Sequence, residues 1–220
     1  MEPRARRSTM ALAVLALLFE EPMHPYRMQQ LIKWRGKDQV INVRQRAGLY
    51  QTIDRLLRAG LIAVRGTARD ERRPERTIYE LTSAGRTTAI AWLREMLATP
   101  AREYPEFPAA LAYLPLLTPE DARRQLERRA ETLAAELARL DAQLRGPAAG
   151  VPRLFLVEAE YLRLTLETEL GWTRGLVAEL AAGQLTWSEE WLRAIAAQSE
   201  PGGERAPPRR DPDEPGAGDI

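Results

Sequence analysis

Arg44, Gln45 and Arg46 stand side by side ahead of an apolar-periodic stretch, with Tyr50, Gln51 and Arg55 spaced along the next turns. An arginine guanidinium can bridge guanine O6 and N7, and a glutamine amide can bridge adenine N6 and N7. Each good pair discriminates by about 1 to 3 kcal/mol. The same side chains could instead touch only phosphate or solvate a helix end. For Tyr50, contact to a phosphate or base edge and packing of its ring under a neighbouring element fit equally well. A second cationic group, Arg69, Arg72 and Arg73, is interleaved with Asp70 and Glu71 between Gly66 and Pro74. That stretch is too polar for a core and reads as a flexible loop suited to phosphate or minor-groove contact.

These residues need elements to hold them. Leu49, Ile53 and Leu56 recur at helical spacing and define a buried stripe, with Gln51, Arg55 and Arg58 largely opposite. The expected helix runs from Val43 to Ala59, opened by an Asn42/Gln45 capping box and stopped by Gly60. Leu61–Val64 and Arg76–Leu81 then read as two strands of a hairpin around the basic loop. A polar helix followed by a cationic hairpin is the order of a recognition helix and its wing.

Upstream, Ser8 or Thr9 caps a helix to about Phe19 with Val14, Leu15 and Leu18 inward. A second runs from Pro25 to about Arg35, burying Tyr26, Leu31 and Ile32 and ending at Gly36. The single histidine, His24, precedes Pro25 and is expected in a cap or turn. Lys33, Arg35 and Lys37 are candidates for additional backbone contacts.

The segments PMHPYRMQQLI, RQRAGLYQTIDRLLRAGLI and RTIYELTSAGR resemble the PadR-type transcriptional regulators over about Met10 to Leu97. The anchors are Leu49 and Tyr50, Gly60 through Ile62, and Tyr79 through Thr82 with Gly85. The resemblance implies a winged helix-turn-helix, a helical dimerisation segment and a repressor. Two departures stand out: Pro25 where the family often has Gly, and Gln45-Arg46-Ala47-Gly48 where it has a Ser-Pro-Gly-Thr-like start. The second alters groove-facing residues, so no family operator sequence carries over.

Charge divides the chain. Its 220 residues total a net +1, yet residues through Ala98 carry 18 Lys and Arg against 10 Asp and Glu, a net +8, leaving −7 beyond. A basic front half favours a polyanionic partner. The absence of cysteine excludes disulfides, thiol chemistry and cysteine-ligated zinc. The apolar run Met10–Phe19 is about ten residues, against roughly 20 for a membrane helix, and a cytoplasmic protein without membrane contact is expected. No nucleophile has a base partner, no glycine loop cradles phosphate, and one histidine supports neither a metal site nor a triad. Neither an enzyme nor a cofactor is expected.

The back half reads as helical. Thr82 caps a helix to Ala98, with Ala89, Trp92, Leu93, Met96 and Leu97 along one side. Pro100, Pro105 and Pro108 mark a linker, and a short helix covers Ala109–Leu116. Thr118-Pro119 opens a long helix to Leu144 whose Leu126, Ala130, Leu133, Leu137, Leu140 and Leu144 alternate spacings of four and three, a seam seeking another helix. A return helix over Pro152–Ala182 carries Phe155, Leu162, Leu166 and Leu170, and Trp187, Trp191 and Leu192 mark a last one. Trp92 and Trp172 fit core and dimer packing better than an effector pocket.

The expected fold class is mainly α: a winged helix-turn-helix with a two-stranded wing over 8–98, an α-helical dimerisation domain over 106–198, and a disordered tail over 199–220. The expected partners are double-stranded DNA and a second copy. A small-molecule or protein effector is admitted, though no residue identifies it. The rivals are a coiled-coil adaptor whose winged domain does not read DNA, and an effector sensor whose DNA affinity is incidental.

Overall fold

The computed structural model describes residues 7–43, 46–70, 73–146, 148 and 150–198; the expected tail over 199–220 lies outside them. Two compact units divide between Glu103 and Tyr104.

In the first unit, α1 (Thr9–Glu20) starts where the Ser8 hydroxyl accepts the Ala11 N–H. α2 (Pro25–Trp34) is capped by His24 and followed by Gly36 at φ 66°, a left-handed residue that turns the chain into a short 3-10 segment, Lys37–Gln39. α3 spans Arg46–Arg58. Val43, the first residue that its periodicity suggested, lies outside the helix because it is spent elsewhere. That side chain is buried, and its carbonyl accepts from the Gln29 amide of α2 at 3.4 Å. Asn42 therefore stands too far upstream to cap α3, and Gln45, the other half of the expected box, lies outside the described residues.

The core forms where α1 packs on α3, α4 (Ser83–Ala98) and the hairpin. Leu15, Met28, Ile53 and Leu56 are at most 1% exposed, and burying each contributes about 1.5 to 3 kcal/mol. Leu49, Ile53 and Leu56 are buried as their spacing indicates. Tyr26, expected inside, is 46% exposed. The inward row of α2 is Pro25, Met28, Leu31 and Ile32, which leaves position 26 on the opposite side of the helix.

The wing differs from expectation. β1 (Ile62–Asp70) and β2 (Arg73–Leu81) pair antiparallel from Ile62↔Leu81 out to Asp70↔Arg73. The arginine-bearing stretch expected as a loop is therefore mostly ladder. Register shifts between Val64 and Gly66 and between Ala68 and Asp70 bend the ribbon. The wing root is held on both sides. Met23 and Tyr79 exchange backbone hydrogen bonds of 3.1 Å, and the Thr82 hydroxyl donates to the Gly60 and Leu61 carbonyls while accepting from Gly85 N–H.

On α4, Ala89 is buried and Trp92 packs against the core, while Leu93 and Leu97 are exposed.

The second unit begins with α5 (Glu106–Ala112) and a 3-10 turn, Leu114–Leu116, in place of one helix over Ala109–Leu116. Pro108 sits within the first turn, where proline is tolerated, and Pro115 prevents α5 from continuing. α6 (Pro119–Arg145) opens with Thr118 accepting the Asp121 N–H. α7 (Val157–Ala181) comes after a 3-10 turn at Arg153–Phe155, and α8 spans Glu189–Gln198. Arg129 pairs with Glu169, and Arg163 with Asp141 at 2.8 Å. The reversed sequence order of these two cross-links makes α6 and α7 antiparallel. Leu126, Leu133 and Leu140 are buried within this chain, whereas Ala130, Leu137 and Leu144 are half-buried. Phe155, expected inside, is exposed on the turn ahead of α7.

α7 carries apolar residues on two faces. Leu170, Thr173 and Leu180 are buried on one, while Val157, Tyr161, Leu164 and Trp172 form an exposed row on the other.

Candidate nucleic-acid interface

Among the candidate base readers, Arg44 and Gln45 lie outside the described residues. Arg46 is the first residue of α3, with its side chain undescribed. Gln51 and Arg58 are exposed on the outer face of α3, and Tyr50 is 52% exposed one residue before Gln51. These positions result from the buried stripe: with Leu49, Ile53 and Leu56 inward, Tyr50 and Gln51 are forced toward solvent.

Arg55 behaves differently from its neighbours. Its guanidinium reaches toward the start of α1, where Nη2 donates to Ser8 Oγ at 3.3 Å, and its buried Nε finds no acceptor. It lines a depression of about 320 Å³ with Ser8, Met10, Asn42, Gln51 and Thr52. The side chain is thus partly engaged by the protein.

In the wing, Arg69 lies in β1 and Arg73 in β2, close to the tip; their side chains are not described, and Arg72 lies outside the described residues. Placing these arginines on paired strands fixes their backbone spacing, which a loose loop would not.

A cleft of about 350 Å³ opens between the start of α2, α3 and the wing root, lined by His24, Pro25, Tyr26, Tyr50, Arg76, Thr77 and Tyr79. His24 Nδ1 accepts the Arg27 N–H at 3.0 Å, the cap its position suggested. The imidazole stacks on Tyr26 with centroids 6.2 Å apart. The Arg76 guanidinium lies 5.5 Å from the Tyr26 ring centroid, within cation–π range. Arg76 Nη1 is 3.4 Å from His24 Nε2.

Burial and the charge of Arg76 push the His24 pKa below its ordinary value, with Arg27 adding to the effect and a backbone hydrogen bond opposing it. Burial and the Asp54 charge push the Tyr79 hydroxyl up, against a hydrogen bond with Thr77. Sequence alternation along β2 placed Arg76 and Tyr79 correctly in the strand. It carried no sign that residue 76 would meet residue 24, since that contact depends on how β2 packs beside the start of α2.

Among the described residues no group of three His, Asp or Glu side chains could hold a metal, and no helix is long and apolar enough to cross a membrane.

Residues 14–90 match the profile described as the transcriptional regulator PadR-like family. PadR of Bacillus subtilis in complex with operator DNA is 18% identical with a TM-score of 0.65, over 80% of this chain and 99% of that one. The same protein in complex with p-coumaric acid is 17% identical with a TM-score of 0.62, over 79% and 99%. The virulence activator AphA of Vibrio cholerae is 20% identical with a TM-score of 0.60, again over 79% and 99%. At such identities the likeness is one of fold. No curated protein matches the sequence.

Proposed function

We propose that this chain, a member of the PadR-like family of transcriptional regulators, represses transcription as a homodimer bound to a pseudo-palindromic operator. Members of the family are transcriptional regulators, not enzymes. The observation that carries the reading is the pairing of two elements. α3 turns Gln51 and Arg58 outward, and the hairpin directly after it brings Arg69 and Arg73 to its far end. The first reads base edges in the major groove, with Arg44, Gln45 and Arg46 at its start, and the second tracks phosphates or enters the adjacent minor groove.

Dimerisation rests on the second unit. The buried part of the α6 seam is consumed by α7, so the surface left for a second copy is the outward row of α7, Val157, Tyr161, Leu164 and Trp172, supplemented by the half-buried Ala130, Leu137 and Leu144. A two-fold axis there presents two recognition helices to half-sites about one helical turn apart. An effector acts by shifting the population of dimers able to span both half-sites. The complex of a structural neighbour with p-coumaric acid supports a small-molecule effector as the first class to screen. A regulator of this kind works in the cytoplasm.

The test is binding of the purified protein to the DNA upstream of its own gene and to a shuffled duplex, over a salt series, with Arg46→Ala alongside. Preference for the native duplex, weakened by salt and by Arg46→Ala, supports sequence reading at the start of α3. Equal weak binding to both duplexes, and to no site recovered by genome-wide selection, favours the adaptor.

A further inference from the structure

We propose that His24 and Arg76 form a paired-donor site for a DNA backbone phosphate, seated in the cleft between the recognition helix and the root of the wing; the assignment rests on the DNA-binding reading above. The cap on α2 fixes the tautomer of the ring. His24 Nδ1 accepts the Arg27 N–H, so it carries a lone pair, and the proton of the neutral ring must sit on Nε2. Nε2 faces Arg76 Nη1 at 3.4 Å. Both atoms are then donors, and two donors in contact do not satisfy each other. Among the described residues Arg76 makes no ion pair with a carboxylate, and the cleft lining contains none. Asp54, whose charge reaches Tyr79, is outside that lining.

An acceptor bearing negative charge and more than one oxygen completes this arrangement. A phosphodiester takes one hydrogen bond from Nε2 and one from the guanidinium, a charge-assisted pair, with the Tyr26 ring holding the guanidinium from one side. The depressed His24 pKa agrees with a ring that stays neutral, and so keeps its cap, until the anion arrives. A free anion offers the same chemistry. DNA is favoured because Tyr50 of α3 and Thr77 of β2 line the same cleft, between the two elements proposed to enter adjacent grooves, where a backbone strand must pass.

The site sets affinity and orientation without selecting sequence. The test uses the full chain, Arg76→Gln and His24→Ser, the serine keeping an oxygen to cap α2 while removing the ring donor. Each is titrated against native and shuffled duplexes over a salt series and against inorganic phosphate, with thermal melts to verify folding. The expected result for Arg76→Gln is a roughly tenfold loss on both duplexes alike, with the salt slope falling by about one. His24→Ser loses a smaller factor on both. If the parent protein binds DNA and both variants keep its affinity and slope, this inference is overturned while the regulator reading stands. If the parent binds neither duplex and no site recovered by genome-wide selection, both fall. Inorganic phosphate binding that depends on Arg76, with DNA affinity unchanged, reassigns the donors to a small anion and overturns the DNA assignment.

Discussion

A Cβ atom placed on Gly85 would lie 1.9 Å from the carbonyl oxygen of Leu61. The first turn of α4 therefore rests directly on the backbone that leads from α3 into the wing, and the Thr82 hydroxyl ties the same point through Gly60 and Leu61. Gly85→Ala should lower stability by about 2 to 3 kcal/mol, since backbone rather than a mobile side chain must yield. Urea unfolding of the two proteins measures it, and equal midpoints would refute the close approach.

Stability should also depend on pH through His24. Its folded pKa is depressed by burial and by the neighbouring Arg76 and Arg27. As pH falls below the ordinary histidine value the unfolded chain takes up a proton that the folded chain resists. Stability is thus full above that value and is lost as pH falls through the folded pKa. His24→Ala should cost about 1 kcal/mol at neutral pH by removing the cap and should flatten this component of the pH profile. Thermal melts at about pH 7.5 and 5.5, roughly one unit either side of the ordinary histidine value, give the comparison.

Recognition and affinity should separate by element. Gln51→Ala should relax preference at one operator position by about 1 to 3 kcal/mol, whereas Arg73→Ala should weaken every duplex about equally and reduce the salt slope by about one. Selection from a randomised duplex pool distinguishes the two; a sequence change caused by Arg73→Ala would place base reading in the wing.

The two faces of the second unit should respond in opposite ways to charge. Leu164→Glu, on the exposed row of α7, should shift the protein from dimer to monomer in sedimentation while helix content persists. Leu133→Glu should unfold the unit, because its side chain is 6% exposed within a single chain and an unpaired buried carboxylate is costly. A Leu164→Glu protein that remains dimeric would remove α7 from the interface.

Thr173 is fully buried and its hydroxyl has no hydrogen-bond partner. Thr173→Val, which keeps the branched shape without the hydroxyl, should raise stability by about 1 kcal/mol. A drop in the unfolding midpoint would mean that the hydroxyl is satisfied in solution.

The features that the sequence determined by itself are local and periodic. The caps at Ser8, Thr82 and Thr118, the stop at Gly60, the buried row Leu49, Ile53 and Leu56 and the two-strand hairpin all depend on residues a few positions apart, whose propensities act before any long-range packing. Tertiary structure decided what distant segments do to one another. Val43 was drawn into the core instead of opening α3. Ladder pairing extended the wing through a stretch whose charge had suggested a loop, because a strand's backbone bonds are indifferent to side-chain polarity. Half of the α6 seam was spent on α7, since heptad spacing specifies that a helix needs a partner without saying whether the same chain supplies it. The His24–Arg76 contact, across 52 residues, arises only when β2 is laid beside the start of α2.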